Sequence, residues 1–328
     1  MRAVQISTLD GPGAVTVVDV DEPEASAEQV LIDVHAAGVT FPDLLQTRGL
    51  YQIKPPLPFV PGTEVAGVVR TAPADSGFAA GDRVVAFPGL GGFAETVAAH
   101  PVATFPLPDR LSFEQGAGIP MNVLTAHFAL VHRGGLRAGD TVLVHGAAGG
   151  VGSASVQLAH ALGAKVIAVV STEQKAEFAR RTGADEAVLV GGSDDVPGFK
   201  DTVKQLTGGR GVDLVVDPVG GDRFTDSLRC LAPEGKLLVI GFTAGEIPTV
   251  KVNRLLLGNI SVVGVAWGEY WMRRPAYLQE QWADLLPLLA DGKLDPLIGE
   301  VHPLGQASAA LDNMDTRRGI GKIVLQVR

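Results

Sequence analysis

Short runs in which apolar and polar residues alternate make up the first part of the chain, from Arg2 to about Phe105. Gly and Pro separate these runs, which read AVQIS, AVTVVDV, QVLIDVHAAGV, TEVAGVV and DRVVAF. Strands whose alternate side chains face a core have this period of two, and Gly and Pro mark the turns between them. The pattern therefore predicts a β-rich, barrel-like unit.

After Pro120 the pattern changes to apolar strands that alternate with helices. The predicted strands read VLVHG, KVIAVV, EAVLV, VDLVVD, KLLVIG and ISVVGVA. The predicted helices between them cover Ser153–Leu162, Glu173–Thr182, Phe199–Leu206 and Asp222–Leu231. Because parallel strands are joined by crossover helices, this alternation predicts a parallel sheet with helices on both faces.

The end of the chain combines one more helix with a return to β runs. An apolar stripe at helical spacing, free of polar residues, predicts core packing; it consists of Leu278, Trp282, Leu285, Leu286 and Leu289. The β runs from Leu297 to Arg328 are expected to close back onto the first unit. We therefore expect a β-rich domain of residues 1–121 and 267–328 and an inserted α/β domain of residues 122–266. A small-molecule cleft is expected at their junction.

A glycine-rich turn lies within Thr141–Ala164, TVLVHGAAGGVGSASVQLAHALGA. Glycine allows the backbone to approach a pyrophosphate closely, and the first N–H groups of the following helix favour negative charge. An ordinary tight turn is the alternative. The strand before the turn and the helix and strand after it favour a dinucleotide site. Its predicted residues are Gly146, Ala148, Gly149, Gly150, Val151 and Gly152.

The end of the second predicted strand indicates which dinucleotide binds. NAD sites usually have Asp or Glu about 20 residues beyond the glycines, to bind the ribose hydroxyls. Here Ser171 stands at that position, followed by Thr172 and Lys175, which could hold a 2′-phosphate. Alternatively, Ser171 is a helix N-cap and Lys175 a solvated charge, and Glu173 would repel a phosphate. We favour NADPH, with Glu173 turned to solvent.

Composition narrows the class of protein and its expected location. The chain has 328 residues, of which 46% are hydrophobic and 19% charged, so two globular domains are expected. A net charge of −9 with no dense basic run weighs against nucleic acid binding. The glycines of Thr141–Ala164 argue against a membrane span there. One cysteine, Cys230, and the lack of a signal-peptide pattern suggest the cytoplasm.

With these segments identified, the chain resembles the medium-chain dehydrogenase/reductase superfamily. Within it, the sequence is similar to the zinc-free NADPH:quinone oxidoreductases related to zeta-crystallin. The resemblance runs essentially end to end. It includes the segment around Arg48, Gly49 and Tyr51, and the motifs PGTE at Pro61–Glu64, GDRV at Gly81–Val84, LTA at Leu124–Ala126, HGAAGGVG at His145–Gly152 and GKIVL at Gly321–Leu325.

The resemblance implies an α/β fold in which a GroES-like, β-rich catalytic domain contains an inserted Rossmann domain. It also implies a homodimer, in which the segment Ile260–Trp267 pairs with its copy. Zinc-dependent relatives have Cys near the position of Thr40 and His before Glu64, whereas this chain has Thr40 and Thr63. Because zinc needs convergent thiolate or imidazole ligands, we expect no metal. The seven histidines are interpreted as surface or satisfied residues.

The implied function is NADPH-dependent hydride transfer to a quinone or an α,β-unsaturated carbonyl. The resemblance places Tyr51, Thr40 and Asp43 at the acceptor. The remaining cofactor residues implied are Asn122, Thr125, Ile240, Gly241, Phe242 and Lys322. Structural alternatives are that Tyr51 only packs, that Asp43 caps the short helix after Pro42, and that Glu64 anchors backbone N–H groups.

The identity of the acceptor stays open at the level of sequence. Quinone reductases usually have Asn in place of Thr40 and often Tyr in place of Leu45, whereas Tyr51 is retained. A 2-enoyl-thioester reductase is one alternative, with basic residues at the mouth of its channel, for which the candidates are Arg48, Lys54, Arg273 and Arg274. A non-catalytic NADPH-binding protein is the other.

Overall fold

The computed structural model describes residues 1–191, 198–316 and 318–328. Its strands are β1 (Arg2–Ile6), β2 (Val15–Asp19), β3 (Val30–Gly38), β4 (Glu64–Thr71), β5 (Arg83–Ala86), β6 (Thr96–Ala99), β7 (Thr104–Pro106), β8 (Thr141–His145), β9 (Lys165–Val170), β10 (Glu186–Leu189), β11 (Val212–Asp217), β12 (Leu231–Val239), β13 (Ser261–Gly264), β14 (Ile298–Pro303) and β15 (Lys322–Gln326).

Its α-helices are α1 (Phe41–Gln46), α2 (Phe113–Ala117), α3 (Pro120–His127), α4 (Gly150–Ala161), α5 (Glu173–Arg181), α6 (Phe199–Leu206), α7 (Phe224–Cys230), α8 (Asn253–Gly258), α9 (Trp267–Trp271), α10 (Tyr277–Ala290) and α11 (Ala307–Asp315). The chain divides into two compact units, one of Met1–Leu124 with Arg274–Arg328 and one of Thr125–Arg273. The predicted boundaries, 121/122 and 266/267, lie a few residues earlier in the sequence.

The first unit is built on a sheet in which the two ends of the chain meet. Its strand order is β14-β15-β3-β4-β5-β7, and β6 also pairs with β3. β3 lies between β4 and β15 and is antiparallel to both, with Gly38 opposite both Glu64 and Val324. The predicted return of the tail to the first unit is therefore confirmed. This pairing also brings the first residues of β4 and β15 to the same end of β3.

The stripe on α10 is a core face, as predicted, but it contains a polar residue. Leu278, Trp282, Leu285 and Leu289 are buried, and so is Gln281. Gln281 donates from Nε2 to the backbone carbonyl of Leu124 at 2.8 Å, which satisfies the buried amide. The prediction of an uninterrupted apolar stripe was therefore wrong at this position.

The second unit is a parallel sheet with the order β10-β9-β8-β11-β12-β13. β8, β9 and β11 are buried along almost their whole length, as expected for central strands that helices cover on both faces. The GroES-like and Rossmann-like sheets together confirm the predicted α/β fold class. Strand order reverses between β8 and β11, and open parallel sheets bind ligands at the carboxyl ends of the strands that flank such a point.

Two helices of this unit begin at residues other than those predicted. α4 begins at Gly150 rather than Ser153, because Gly149 has the extended conformation of an N-cap. α7 begins at Phe224 rather than Asp222, because the 3₁₀ turn Gly221–Arg223 precedes it; Gly220 and Gly221 have positive φ. Helix starts are hard to predict where glycines form the first turn, because glycine has no side chain and so adds nothing to the amphipathic pattern.

Candidate functional site

The glycine turn after β8 has the close packing that a pyrophosphate site needs. Gly146 has φ +58°, a left-handed conformation that favours glycine. A Cβ atom on Gly152 would overlap the carbonyl oxygen of Gly146, so the first turn of α4 can pack against the turn only if residue 152 is glycine. Gly149 N donates to Gly146 O at 2.9 Å and closes the loop.

The first backbone N–H groups of α4 are not capped by any described side chain. The N-cap residue is Gly149, which has no side chain, and no hydrogen bond from a side chain caps this helix in the described structure. The first N–H groups of a helix have no acceptor within it, and they carry the positive end of the helix dipole. The N–H groups of Gly150, Val151 and Gly152 thus have the character of a pyrophosphate site, beside the buried Ala148, and the cofactor role of these residues stays a prediction.

The end of β9 presents hydroxyl groups and one ammonium group at the same sheet edge. Ser171 and Thr172 are exposed, and the Lys175 ammonium lies 3.5 Å from Ser171 Oγ. Thr172, and not Ser171, is the N-cap of α5, since Thr172 Oγ1 accepts a hydrogen bond from Lys175 N at 3.3 Å. The N-cap reading of Ser171 was therefore wrong, and its hydroxyl lies beside an ammonium group.

Glu173 has a positively charged partner of its own. Its carboxylate lies 3.2 Å from Arg180 Nη1, about two turns further along the exposed face of α5. An exposed pair of this kind contributes little to stability. The pair engages the carboxylate with Arg180, and the expectation that Glu173 does not repel a bound 2′-phosphate stays a prediction.

The strand ends on the other side of β8 contribute backbone and aromatic groups. Asp217 at the end of β11 accepts hydrogen bonds from Val219 N and Gly220 N, both 2.9 Å from Oδ1. Ile240 N donates to Asp217 O at 2.9 Å, which brings the segment of Ile240, Gly241 and Phe242 beside β11. A Cβ on Gly220 would lie 2.9 Å from the Phe242 ring. These three predicted residues thus lie at the carboxyl end of β12.

Two further predicted cofactor residues lie on α3. Asn122 and Thr125 are buried polar residues, 6% and 7% exposed, three positions apart and hence on one face of the helix. α3 continues directly into the π-helix Phe128–Gly134. Their position at a nicotinamide stays a prediction.

The first unit places Thr40, Asp43 and Thr63 together. Thr40 is the N-cap of α1, and its N and Oγ1 both donate to Asp43 Oδ2, at 2.8 and 2.6 Å. Thr40 Oγ1 lies 3.2 Å from Thr63 Oγ1. Asp43 Oδ1 accepts from Gly62 N at 3.2 Å, which ties α1 to the loop before β4. Asp43 thus caps the short helix after Pro42, as the structural alternative predicted.

Burial changes the acidity of Asp43. The side chain is completely buried, and desolvation raises its pKa to about 6, against the hydrogen bonds from Thr40, which lower the pKa. The ammonium group of Lys322 also lowers this pKa, and the carboxylate of Glu64 raises it. Asp43 is therefore a carboxyl group that can exist in both protonation states near neutral pH.

Glu64 and Lys322 form a buried ion pair next to this cluster. Lys322 Nζ contacts Glu64 Oε1 and donates to Val39 O at 2.8 Å, while Glu64 Oε2 accepts from Met121 N at 2.5 Å. Glu64 is fully buried and Lys322 is 4% exposed. The alternative that Glu64 anchors a backbone N–H group is confirmed. The cofactor role of Lys322 stays a prediction, since these contacts are all made within the protein.

Tyr51 lies in the loop between α1 and β4. It is half-buried, and it follows Gly49, whose φ of +64° turns the chain after the helix. The acceptor role of Tyr51 stays a prediction. Arg48 nearby pairs with Asp315 through two hydrogen bonds of 2.8 and 2.6 Å, which fixes the end of α1.

The chemistry of the side chains is unfavourable for a metal. Thr40 and Thr63 hydrogen-bond to each other, and neither side chain has the thiolate or imidazole that zinc prefers. Among residues 1–191, 198–316 and 318–328, no three His, Cys, Asp or Glu residues are grouped so that they could hold an ion. Cys230 is buried, and desolvation raises its thiol pKa to about 12, so it is not a ready thiolate.

One histidine is not the satisfied residue that the sequence suggested. His145, at the end of β8, is buried, and its Nε2 lies 2.8 Å from Ser227 Oγ. Its Nδ1 has no hydrogen-bond partner among the described residues. The general interpretation of the histidines was therefore wrong for His145.

Two site residues were not recognised as such from the sequence. Thr63 was noted only as the position where zinc-dependent relatives have histidine, although that correspondence already placed it next to Thr40. Asp217 could have been found as the acidic residue that ends the strand VDLVVD. Its position at the reversal of strand order depends on the sheet topology, which the sequence pattern does not give.

The fold and the site together define a two-domain oxidoreductase that uses a dinucleotide. Family models agree with this class on both units. An alcohol dehydrogenase GroES-like domain matches residues 26–109, and a zinc-binding dehydrogenase domain matches residues 150–291. No described helix has the length and apolar character needed to cross a membrane.

Known proteins resemble the whole chain. Quinone oxidoreductase-like protein 2 from Bos taurus is 35% identical over 329 residues, which cover 100% of this chain and 93% of the relative. A probable oxidoreductase from Mycobacterium abscessus has 46% identity and a TM-score of 0.91, covering 100% of this chain and 99% of its own. The Escherichia coli quinone oxidoreductase complexed with NADPH has 29% identity and a TM-score of 0.89, with both chains covered completely.

The chain therefore belongs to the quinone oxidoreductase family of medium-chain dehydrogenases/reductases, and it is an oxidoreductase.

Proposed function

We propose that this enzyme transfers hydride from NADPH to a quinone or an α,β-unsaturated carbonyl without zinc. The observation that carries the proposal is the combination of two features. The chain has a glycine cradle that fits a pyrophosphate, and it has Thr40 and Thr63 where zinc-dependent relatives have Cys and His, with Thr40 hydrogen-bonded to Asp43.

The residues at the end of β9 support NADPH over NADH. Ser171 and Thr172 can donate hydroxyl hydrogen bonds, and Lys175 can form a charge-assisted bond to a 2′-phosphate. No carboxylate occupies the position of Ser171, where it would bind ribose hydroxyls and repel the phosphate. The relatives solved with NADPH, from Escherichia coli and from Thermus thermophilus, have the same fold.

The side chains of the first unit favour a conjugated acceptor. An isolated carbonyl has to be strongly polarised before it accepts hydride, most effectively by a Lewis acid, and the described side chains form no cluster able to hold a metal ion. A quinone or an enone delocalises the arriving negative charge itself. When bound, NADPH supplies the hydride. The protein then has to orient the acceptor, exclude water and deliver a proton to the acceptor oxygen.

In this mechanism Tyr51, Thr40 and Asp43 surround the acceptor. Tyr51 donates a hydrogen bond to the developing oxyanion, while Thr40 and Asp43 shape the polar wall of the site. Asn122, Thr125 and Lys322 hold the nicotinamide end, and the segment of Ile240, Gly241 and Phe242 flanks the cofactor. The proposal includes metal independence. It also includes a cytoplasmic location, which the single cysteine, Cys230, suggests.

We also infer a homodimer that forms through β13. This strand is the last in the sheet, and its outer edge pairs with no other strand of the described structure. The adjacent α8 buries none of its residues; Val252 before it is 72% exposed, and Leu256 and Leu257 are 74% and 79% exposed. An apolar strand edge of this kind is normally covered, and a second copy across a twofold axis covers it symmetrically.

Light scattering tests the dimer. The purified protein is expected to have twice the mass of one chain at micromolar concentration. Leu256→Asp with Leu257→Asp should give monomers that keep the melting temperature of the second unit, because both side chains are exposed in one chain. A monomer mass for the unmodified protein would contradict the inference.

The enoyl-thioester alternative receives less support from the structure. Of the basic residues that could line a channel for a thioester, Arg48 pairs with Asp315, Arg274 with Glu280, and Arg273 lies 3.6 Å from Glu269. Three of the four candidate charges are thus paired with neighbouring carboxylates, and Lys54 is the fourth candidate. This alternative is an outcome of the assay below.

A panel of acceptors tests the reaction. NADPH absorbance is followed with 1,4-benzoquinone, 2-cyclohexenone, crotonyl-CoA, a saturated ketone and an aldehyde. The quinone and the enone should be reduced fastest, and the saturated carbonyls slowly. Faster reduction of crotonyl-CoA than of the quinone and the enone would establish an enoyl-thioester reductase. NADPH binding without reduction of any acceptor would establish the non-catalytic reading.

A further inference from the structure

We propose that Thr63, Thr40 and Asp43 form a proton relay, in which Asp43 is the proton reservoir and the Thr63 hydroxyl delivers the proton to the acceptor oxygen. This inference rests on the proposed function. It adds Thr63 as the residue that touches the acceptor, and it gives Asp43 a role beyond shaping the site.

The direction of the hydrogen bonds follows from the number of hydrogens. Thr40 Oγ1 has one hydrogen, and the shortest bond it makes is the 2.6 Å bond to Asp43 Oδ2. When Asp43 is ionised, that hydrogen is committed to the carboxylate. The 3.2 Å contact between the two hydroxyls must then be a bond that Thr63 donates to Thr40. The three groups form one directed chain that ends on a carboxylate.

Protonation of Asp43 reverses this chain. The carboxylic acid donates to Thr40, Thr40 donates to Thr63, and the Thr63 hydrogen becomes available to a further acceptor. Transfer breaks the O–H bond of each donor in turn and forms one on each acceptor. The net result is a carboxylate on Asp43 and a new O–H bond on the substrate oxygen. With the hydride from NADPH, this completes a two-electron reduction. After the product leaves, a hydronium ion from solvent returns a proton through Thr63 by the same route and leaves a water molecule.

The surroundings of Asp43 suit a reservoir that fills and empties near neutral pH. The group is fully buried, and desolvation raises its pKa to about 6. The charged groups that act on it are Lys322 from β15 and Glu64 from β4, which pair with each other and oppose one another in their effects. Just beyond the C-terminal end of α1, Arg48 is charged as well, and it is paired with Asp315 of α11.

The capping geometry keeps the relay in place. Asp43 N lies 3.4 Å from Thr40 Oγ1, and Gly62 N donates to Asp43 Oδ1, so backbone groups hold both side chains. Thr47 provides a matched control one helical turn away. It is fully buried, but its hydroxyl donates to Leu44 O at 2.7 Å and takes no part in the chain.

The test compares Thr63→Val and Thr63→Ser with Thr47→Val, using 2-cyclohexenone and NADPH. General acid catalysis contributes roughly 100-fold or more, so Thr63→Val should lower kcat by about that factor at pH 6, with unchanged NADPH affinity. Thr63→Ser, which keeps the hydroxyl, should restore most of kcat. Thr47→Val should keep kcat and show only its structural cost in melting temperature.

The pH profile separates a relay from a packing role. The kcat of the unmodified enzyme should fall as pH rises through about 6, and Thr63→Val and Asp43→Asn should both abolish this dependence. Asparagine can still accept the bond from Thr40 N, so the helix cap is kept. Enone reduction with the same pH profile in Thr63→Val and the unmodified enzyme would overturn the relay and leave the proposed function intact. Binding of NADPH without reduction of the enone or of benzoquinone would overturn both.

Discussion

His145 makes the stability of the second unit sensitive to acid. Ser227 Oγ donates its hydrogen to Arg223 O at 2.9 Å, so His145 Nε2 must be the donor in the 2.8 Å bond between them. His145 Nδ1 has no hydrogen-bond partner among the described residues, so a proton there would be buried without an acceptor; the imidazole is therefore neutral. Desolvation lowers the pKa of His145 to about 4, although the charge of Asp217 raises it.

The sign of the effect follows from proton linkage. The pKa of His145 in the folded state is below its ordinary value of 6.5, so the unfolded chain binds the proton more readily. The stabilising contribution is fully present above pH 6.5 and is lost as pH falls from 6.5 to about 4. A pKa difference from 6.5 to about 4 corresponds to about 3 kcal/mol, at about 1.4 kcal/mol per pH unit.

Urea unfolding of the unmodified protein and of His145→Leu, each at pH 7 and pH 4, measures this contribution. Between these two values the unmodified protein should lose about 3 kcal/mol more of its free energy of unfolding than the variant. His160→Gln, at an exposed position of α4, is the matched control and should leave the pH dependence unchanged. Equal losses in the unmodified protein and His145→Leu would refute the assignment of a buried neutral imidazole.

Three other results are expected. Lys175→Ala should reduce the preference for NADPH over NADH by roughly 10-fold to 100-fold, since a charge-assisted hydrogen bond contributes about 1.5 to 3 kcal/mol; an unchanged ratio in fluorescence titrations would place the phosphate elsewhere. Glu64→Gln should lower the free energy of unfolding by about 3 to 5 kcal/mol, because it leaves the Lys322 ammonium buried without its partner. Elemental analysis should find no stoichiometric zinc, and chelators should not affect turnover.

Elements that local patterns determine were predictable from the sequence. The strand Lys165–Val170 and the helix Phe199–Leu206 have the predicted bounds, because the apolar pattern within each segment is enough to indicate which of its residues are buried. The start of α4 was missed, since Gly150 and Gly152 give no such signal although their backbone forms the first turn of the helix.

The candidate site was predictable to the extent that it depends on neighbours in sequence. Thr40 and Asp43 are three residues apart, at the spacing of a helix cap. Glu64 and Lys322 are 258 residues apart, and only the pairing of β3 with both β4 and β15 brings them together. The same holds for Gln281 and Leu124, 157 residues apart, because the sequence pattern does not show that this polar residue lies beside the apolar stripe and bonds a distant backbone carbonyl.

The alternatives considered for Asp43, a helix cap or a part of the chemistry, are compatible with each other in this structure. One carboxylate oxygen accepts from Gly62 N, and the other accepts from the backbone and the hydroxyl of Thr40. The cap fixes the carboxyl group in a desolvated position, and desolvation is the main cause of its raised pKa. Capping thus holds Asp43 in the buried position in which it can store a proton. The hydrogen bonds from Thr40 lower the pKa, so their loss would raise the pKa further as well as destabilise α1.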